Sequence, residues 1–428
     1  MRVLLLASTT GYQTRAFDAA AERLGISLVL ATDRCDVLDD PWRDRAIPVR
    51  FHDPAFSERA ILARAREQTI HGVIAAGDRP AVLAARVAAA LKLPGHPPTA
   101  AAAAGNKRQT RDRLRAAGLL TPSYIEVPVT QVPDAVVNGV TDPVVVKPLG
   151  LSGSRGVMRA DTPGELVEAL HRLGALLASK EVRRDREIHD RILIERFIHG
   201  REYAVEGLMT KGTLSVLALF DKPDPLDGPF FEETIYVTPS CAASTVQTAI
   251  ADTVAAAARA LGLSHGPIHA ECRVNEEGVW MLEIAARPIG GLCARALRFV
   301  RHGTARAGGP LISLEELLLR HAVGERVDGW KREPHASGVM MIPIPARGVL
   351  RAVSGEAAAR AVPGVEDVRV TAKLDQLLVP LPEGASYLGF IFARGTWPED
   401  VEQALRDAHE CLDFVIAPEV RVLQSAHG

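Results

Sequence analysis

The chain has 428 residues, of which 47% are hydrophobic, and a formal net charge of −2. This length allows two or three domains, and the near-neutral charge gives no support for a nucleic-acid-binding protein. No apolar run approaches the roughly 20 residues that a membrane-spanning helix needs. The five cysteines are scattered and form no CxxC pair, which favours reduced thiols in a cytoplasm and argues against a zinc site.

The first 98 residues alternate between predicted strands and predicted helices. Residues 2–8 form a continuous apolar run, which is typical of a strand buried in a parallel sheet. Further strands are predicted at 27–31, 46–51 and 72–76, and helices at 15–24, 57–68 and 80–91. The alternation predicts a doubly wound α/β domain. Its first turn lacks GxGxxG, so dinucleotide binding is unsupported, and Asp78 is predicted to be the N-cap of the helix at 80–91.

Two lysines then stand where phosphate binding is favoured. Asn106 is expected to cap a helix that begins at Lys107, where the helix macrodipole disfavours a cation unless an anion is bound. Lys147 lies in the apolar strand PVVVKP and is followed by a glycine-rich loop, residues 150–156. Small residues in such a loop can turn backbone N–H groups toward an anion. The loop is not a Walker A loop, because no GK[ST] follows, and without the lysine it would indicate a plain hairpin.

Residues 192–209 read ILIERFIHGREYAVEGLM and predict two strands joined at His199-Gly200. The first strand is expected to end at Glu195, and the second is expected to begin near Glu202. Such a hinge can offer backbone groups to a purine base and a carboxylate to ribose hydroxyls. A helix predicted at 246–261 leads from there to the next motif.

Residues 269–291 read HAECRVNEEGVWMLEIAARPIGG and predict a hairpin with a three-residue loop that Gly278 closes. Asn275 would then pair with Val279, and counting outward places Glu271 opposite Glu283, with Cβ atoms roughly 5 Å apart. Two adjacent carboxylates repel each other unless a cation lies between them, which favours a magnesium site. An exposed hairpin with two unrelated glutamates is the alternative.

The same alternation places Ala285 and, if the strand continues, Arg287 on the face of Glu283. Arg287 would add a planar guanidinium group for a nearby anion. Beyond it, a helix is predicted at 315–321. A third unit begins at Gly338, with predicted strands at 338–344, 365–370 and 387–393 and a helix at 398–412.

The order of these features resembles that of the ATP-grasp superfamily over essentially the whole chain. The distinctive parts are the glycine-rich loop, LIERFIHGREY, HAE and MLEIAARP. The segments PFFEETIYVTPS and RPIGG, with the C-terminal unit, make the chain most similar to the carboxylate–amine ligases related to L-amino acid (dipeptide) ligases. The resemblance implies an N-terminal doubly wound α/β domain (1–98), a central ATP-grasp domain (99–330) with a lid at about 140–207, and a C-terminal α+β domain (331–428).

The resemblance also implies how the nucleotide is held. Lys107 and Lys147 match the lysines that contact phosphate, and Glu202 matches the carboxylate that binds ribose. The loop residues expected to close over the β- and γ-phosphates are Ser152, Gly153, Ser154 and Gly156. The residues expected to form the adenine hinge are Glu195, Arg196, Phe197 and Ile198.

For the chemistry, the resemblance makes Glu271 and Glu283 magnesium ligands and makes Arg287 the group that grips the phosphorylated intermediate. The N–H groups of Gly290 and Gly291 are expected to assist Arg287. Glu233 and Tyr236 match substrate-facing residues, although ordinary loop packing explains them equally well.

One position departs from the family pattern Glu-x-Asn-x-Arg, because Ala285 stands where a metal-binding asparagine is usual. A second magnesium ion is therefore in doubt.

The expected reaction is ATP-dependent formation of an amide or peptide bond through an acyl phosphate, with ADP and phosphate as products. ATP and Mg²⁺, with Mn²⁺ as a substitute, are the expected cofactors, and small carboxylates and amines are the expected partners. A homodimer, a biotin carboxylase-like or purine-pathway ligase, and a non-catalytic nucleotide-binding protein are left open.

Overall fold

The computed structural model of the chain describes residues 1–8, 13–33, 46–129, 132, 134–183, 190–301 and 310–419. Cys35, the turn at 9–12 and residues 184–189 of the charged run after the seventh helix lie outside these ranges.

The helices of the described residues are α1 (Thr14–Leu24), α2 (Pro54–Glu67), α3 (Asp78–Ala90), α4 (Pro98–Ala104), α5 (Lys107–Ala116), α6 (Asp134–Asn138), α7 (Pro163–Ala178), α8 (Lys180–Arg183), α9 (Ser244–Leu261), α10 (Leu314–Ala322), α11 (Glu356–Ala361) and α12 (Pro398–Glu410), with a 3₁₀ turn at Cys293–Ala296. The first eleven strands are β1 (Arg2–Ala7), β2 (Ser27–Thr32), β3 (Ile47–Pro48), β4 (Gly72–Ala76), β5 (Tyr124–Pro128), β6 (Val144–Pro148), β7 (Met158–Ala160), β8 (Arg191–Arg196), β9 (Arg201–Thr210), β10 (Thr213–Asp221) and β11 (Ile235–Thr238). The remaining strands are β12 (Gly266–Asn275), β13 (Gly278–Ala285), β14 (Arg298–Arg301), β15 (Ile312–Ser313), β16 (Trp330–Arg332), β17 (Ala336–Ile342), β18 (Gly348–Ser354), β19 (Val365–Val370), β20 (Leu377–Leu378), β21 (Gly389–Gly395) and β22 (Asp413–Ala417).

The N-terminal sheet is parallel and has the strand order β3-β2-β1-β4. Strand β1 is buried from Val3 to Ala7 because helices cover the sheet. A continuous apolar sequence is typical of a strand buried in this way. The predicted doubly wound α/β domain is therefore confirmed. Among the described residues, no helix combines the length and apolar character needed to cross a bilayer.

A second, antiparallel sheet has the order β5-β8-β6-β7 and carries the glycine-rich loop between β6 and β7. Helix α7 begins where the Thr162 side chain accepts a hydrogen bond from the Glu165 N–H. Its apolar face packs on the sheet in one buried cluster with Val146 and Ile194. This small unit holds Lys147 and the loop over the larger sheet.

The central sheet has eight strands in the order β13-β12-β9-β10-β11-β17-β21-β19. Strands β17, β21 and β19 come from the C-terminal unit that the sequence predicts, and β11 pairs with β17 directly. The C-terminal unit therefore completes the central sheet with three of its strands, while β18, β20 and β22 form a small sheet of their own. Pairing between strands about a hundred residues apart has no local sequence signal, and this is why the predicted boundary did not anticipate it.

Candidate active site

The predicted pair of carboxylates lies on neighbouring strands, with Glu271 of β12 opposite Glu283 of β13. The route to this register differs from the expected one. Asn275 pairs with Gly278 rather than with Val279, and a β-bulge between Glu271 and Cys272 on β12 restores the alignment. Strand β13 supplies the extra residue at this bulge, Leu282, whose insertion also increases local twist next to the site.

Glu271 is surrounded by groups that favour its ionised form. Its Oε1 atom lies 3.1 Å from Lys222 Nζ and 3.6 Å from His269 Nε2, and it accepts a hydrogen bond from the Tyr236 hydroxyl at 3.3 Å. Burial acts to raise the pKa of Glu271, but Lys222 and His269 outweigh it and hold this pKa well below its usual value. Glu271 is thus a carboxylate, as a metal ligand must be.

Lys222 is the centre of a buried carboxylate cluster. Its ammonium group, 2% exposed, lies 2.8 Å from Glu202, 2.6 Å from Glu233 and 3.1 Å from Glu271. Burial acts to lower the pKa of Lys222, but the three carboxylates outweigh it and raise this pKa well above its usual value. Their ligand atoms lie within 4.8 Å of one another, a spacing that suits a metal ion, and here the lysine supplies the positive charge.

Glu233 and Tyr236 belong to the same cluster, since the Tyr236 hydroxyl donates to Glu233 at 2.7 Å. Burial raises the pKa of Glu233 to about 7, although Lys222 acts in the opposite direction. The structure therefore brings the two residues expected to face substrate next to the Glu271 carboxylate.

A second carboxylate, Glu206, supports Glu271 indirectly through His269. His269 Nδ1 lies 3.3 Å from Glu206, which is fully buried and also accepts the Ile289 N–H at 3.0 Å. Burial acts to lower the pKa of His269, but Glu206 and Glu271 outweigh it and raise this pKa to about 9. The imidazolium that follows lies between two carboxylates and fixes the orientation of Glu271.

Lys107 lines a cavity together with Asp78, Ser152 and Glu283. Asn106 caps α5 as predicted, with its side chain accepting the Gln109 N–H, so Lys107 is the first residue of the helix. Its Nζ donates to the Leu151 carbonyl at 2.8 Å and lies 4.0 Å from Glu283 Oε2. The cavity therefore brings together one expected phosphate-binding lysine, one residue of the glycine-rich loop and one expected metal ligand.

Lys147 is paired with a buried carboxylate. Its Nζ is 2.8 Å from Glu195, which also receives two hydrogen bonds from Arg111 at 2.9 and 3.1 Å. Burial acts to raise the pKa of Glu195, but Arg111 and Lys147 outweigh it and lower this pKa to about 2. The Glu195 side chain is thus a support for Lys147, and its backbone lies in a strand that is paired on both sides.

The rest of the expected hinge makes further contacts within the protein. The N–H groups of Arg196 and Phe197 bond to the carbonyls of Ser123 and Pro143, each at 2.9 Å. The Ile198 carbonyl accepts from Arg273 Nη1 at 2.6 Å, and Arg273 Nε donates to Glu202 at 3.0 Å. Both carboxylate oxygens of Glu202 therefore have cationic partners, Lys222 and Arg273.

The glycine-rich loop contains three residues with positive φ, Gly153 at 65°, Ser154 at 54° and Gly156 at 74°. The loop docks on the C-terminal unit, because the Gly156 N–H donates to the Pro382 carbonyl at 2.8 Å and Arg155 Nε donates to the Glu383 carbonyl at 2.9 Å. Ser152 lines the cavity from this loop.

Arg287 lies just after β13, which ends at Ala285, so it is not on the strand as expected. Its guanidinium group makes two hydrogen bonds to Asp78, at 2.8 and 3.1 Å. The prediction that Asp78 is the N-cap of α3 is wrong: Gly77 is the N-cap and Asp78 the first helical residue.

Gly290 follows Arg287 closely, and a Cβ there would lie 4.0 Å from Arg287 Nη1. Gly291 has a positive φ of 60° and packs against the Phe390 ring.

Six ionisable residues of this region were not singled out from the sequence as site residues: Asp78, Arg111, Glu206, Lys222, His269 and Arg273. Lys222 had a usable signal, because it is one of only eight lysines and directly follows the apolar strand β10. The others have at least one charged partner far away along the chain, which no local pattern indicates. Asp78 and Arg287 are 209 residues apart.

Three family models match the chain. They are an ATP-grasp N-terminal domain at residues 17–95, an ATP-grasp domain at 140–296 and an L-amino acid ligase C-terminal domain at 340–417. The order of the three matches is the order that the sequence predicts for the three units.

Similar proteins are consistent with these matches. The crystal structure of an L-amino acid ligase from Bacillus licheniformis superposes with a TM-score of 0.81 at 26% identity, over 97% of this chain and 99% of that one. Dapdiamide A synthase from Enterobacter agglomerans is 31% identical over 153 residues, which are 35% of this chain and 34% of that protein. The uncharacterized protein y4rH of Sinorhizobium fredii is 24% identical over 433 residues, covering 97% of this chain and 84% of that protein.

Proposed function

The chain belongs to the ATP-grasp superfamily and is an ATP-dependent carboxylate–amine ligase, and we propose that amino acids are its substrates. In this reaction a carboxylate oxygen attacks the γ-phosphorus of ATP and ADP leaves. The amine nitrogen then attacks the acyl carbon of the acyl phosphate, phosphate leaves, and the surplus amine proton passes to solvent. The observation that carries the proposal is that Lys107, Ser152 and Glu283 line one cavity.

Phosphate charge would be offset by the two lysines and the loop. Lys107 and Lys147 approach from different elements, and the N–H groups of Ser152, Gly153 and Ser154 belong to the same loop. Gly156 would act by shaping the loop, because its N–H is bonded to the Pro382 carbonyl. Arg111 also lines the cavity, and its Nη1 atom has no hydrogen-bond partner among the described residues. Charge stabilisation of this kind is the main contribution a protein makes to phosphoryl transfer.

Mg²⁺ is the cation we propose for Glu271 and Glu283, and Mn²⁺ would also suit their oxygen ligands. The residues fit such an ion, since Lys222 contacts only one oxygen of Glu271, and among the described residues the nearest cation to Glu283 is Lys107 at 4.0 Å. When bound, the ion would offset charge on the phosphate oxygens. Ala285 offers no oxygen, so water would fill that position.

Glu233 and Tyr236 are proposed to face the substrates. Their contact with each other and the position of Tyr236 beside Glu271 support this. An acidic cluster next to a phosphate site suits the ammonium group of an amino acid. Arg287, with the N–H groups of Gly290 and Gly291, is proposed to stabilise the phosphorylated intermediate, and the hinge at Glu195, Arg196, Phe197 and Ile198, together with Glu202, is proposed to hold the nucleoside.

The division of the chain into units at 1–98, 99–330 and 331–428 also remains a proposal, as do the lid at about 140–207, a homodimer and a cytoplasmic location. The three family matches support the division because each falls inside one unit.

A phosphate-release screen with ATP, Mg²⁺ and pairs of amino acids tests the proposal. We expect at least one pair to release phosphate and to yield one ADP for each amide bond, as identified by chromatography and mass spectrometry. AMP and pyrophosphate as the main products would contradict the mechanism. Phosphate release by single amino acids without an amide product would contradict the ligase assignment.

A further inference from the structure

Arg287 is held by the N-terminal unit through a two-point contact. Its Nε and Nη2 atoms donate to the two oxygens of Asp78 at 2.8 and 3.1 Å, and Nη1 donates to the Pro288 carbonyl at 3.1 Å. The Arg287 side chain is 11% exposed and the Asp78 side chain 26%. The pair therefore lies mostly out of water, where a charge-assisted fork is strong and geometrically specific.

These contacts leave part of the guanidinium group available. A guanidinium has five N–H groups, and three of those of Arg287 bond to described residues. One N–H on each terminal nitrogen remains without a hydrogen-bond partner among the described residues. Because Asp78 fixes the plane of the group, it also fixes the direction in which these two donors point.

Asp78 is itself anchored by a rigid element. It is the first residue of α3, after Gly77 with φ of 106°, and the helix buries Leu83 and Val87 in the N-terminal core. A carboxylate in the first turn also interacts favourably with the helix macrodipole. The orientation of Arg287 is thus set by the N-terminal unit, outside the sheet that carries Glu271 and Glu283.

The ion pair lies within reach of the reacting groups. Burial acts to lower the pKa of Arg287, but Asp78, Glu283 and Glu271 outweigh it and raise this pKa above its usual value. On the other side, Asp78 lines the cavity with Lys107 and Glu283. The guanidinium therefore stays charged, in the electrostatic field of both proposed metal ligands.

We propose that Asp78 is a positioning residue for the ligase reaction, which holds one edge of the Arg287 guanidinium so that the other edge meets the transferring phosphoryl group. This inference rests on the proposed function, in which Arg287 stabilises the phosphorylated intermediate. It adds a task for the N-terminal unit, namely the orientation of a catalytic side chain of the central unit.

The variants that test the proposal are Asp78→Asn, which keeps the shape but loses the charge and one acceptor, and Asp78→Glu, which keeps both oxygens. Glu58→Gln is the matched control, because it weakens the contact of Glu58 with Arg86, a residue of the same helix α3, at 2.6 and 2.8 Å. Thermal melting of each variant shows whether it is folded.

The measurement is the affinity for Mg-ADP with and without aluminium fluoride, a mimic of the transferring phosphoryl group, by titration calorimetry. We expect Asp78→Asn to keep the ADP affinity but to lose about tenfold or more of the extra affinity that aluminium fluoride gives, as when a donor to developing charge is misplaced. Asp78→Glu should recover part of the extra affinity that aluminium fluoride gives, and Glu58→Gln should show the same extra affinity as the wild type.

A second arm asks whether Asp78 acts through Arg287. In an Arg287→Ala background, adding Asp78→Asn should cause little further loss, because the partner is already gone. The positioning role would be overturned if aluminium fluoride raised the Mg-ADP affinity of wild type and Asp78→Asn equally. It would also be overturned if the losses of the two single variants added up in the double variant. A wild type that binds Mg-ADP but gains nothing from aluminium fluoride would instead overturn the proposed phosphoryl transfer and with it this inference.

Discussion

At the scale of single residues, this site is built from buried charges that have opposite charges beside them. Lys222 has three carboxylates, Glu195 has two cations, and Arg287 has Asp78. Removal of one member of a buried pair is costly because the remaining charge is left out of water without a partner. The same rule makes each pair a sensitive point for substitution.

Lys222→Met should destabilise the protein by about 3–5 kcal/mol, the usual cost of leaving buried charge unpaired. Urea denaturation would measure this change. Because the three carboxylates left behind have metal-like spacing, millimolar Ca²⁺ should raise the melting temperature of the variant more than that of the wild type. Lys331→Met, at an exposed lysine, is the control. An unchanged stability of Lys222→Met would show that the cluster tolerates the loss of its cation.

Ala285→Asn tests the departure from the family pattern. Ala285 pairs with His269 in the sheet and is 4% exposed, so the new amide would lie near the proposed metal-binding face without adding charge. We expect this variant to reach half-maximal activity at a lower Mg²⁺ concentration than the wild type. Ala285→Val, which fills the same space without an oxygen, should show no such gain. If wild type is inert at every Mg²⁺ concentration while Ala285→Asn turns over, the wild type is not a ligase.

At the scale of elements, a bulge corrects the register of the site hairpin. The turn pairs Asn275 with Gly278, one residue short of the expected pairing, and the bulge beside Glu271 adds that residue back. Glu271 and Glu283 are therefore opposite each other for a reason that alternation alone does not give. Bulges of this kind are common next to active sites, where they redirect a side chain.

The glycine-rich loop gives a prediction at this scale. The Gly156 amide bonds to the Pro382 carbonyl, whereas Ser152 lines the cavity. Hydrogen exchange should therefore be slow at Gly156 with or without nucleotide, and should slow at residues 152–154 only when a non-hydrolysable ATP analogue is bound. Peptides of helix α7 serve as the internal control. Equal exchange at 152–154 in both states would argue against a loop that closes over phosphate.

At the scale of the whole molecule, the units are joined through shared cores and junction residues. Leu4 and Leu6 of the N-terminal sheet belong to the same buried cluster as Val205 and Ile268 of the central sheet. His96, in the linker between these units, accepts the Ser264 N–H on Nδ1 at 3.2 Å and donates from Nε2 to the Pro267 carbonyl at 3.1 Å. This pair of bonds requires the neutral imidazole.

This junction gives a prediction of pH dependence. Burial, helped by His265, lowers the pKa of His96 from 6.5 to about 4, although the bond to Pro267 opposes it. Between these values the unfolded chain binds more protons than the folded protein, so stability falls as the pH drops from 6.5 to 4. The loss should approach about 3 kcal/mol. Denaturation of His96→Gln should depend less on pH in this window, whereas His52→Gln, at an exposed histidine, should match the wild type. Identical pH profiles for His96→Gln and wild type would contradict this assignment.

The sequence by itself determined the alternation of strands and helices in the N-terminal domain and the capping of α5 at Asn106, because periodicity and caps are local properties of the chain. Counting along the hairpin also placed Glu271 opposite Glu283, but the fold reaches this pairing through a shorter turn and a bulge that the count did not contain. The tertiary structure alone decided the partners of the charged residues. Asp78 reaches Arg287 across 209 residues and Arg111 reaches Glu195 across 84. A buried charge is stabilised by whichever opposite charge the fold brings within hydrogen-bonding distance, and the spacing of residues along the chain does not encode that choice.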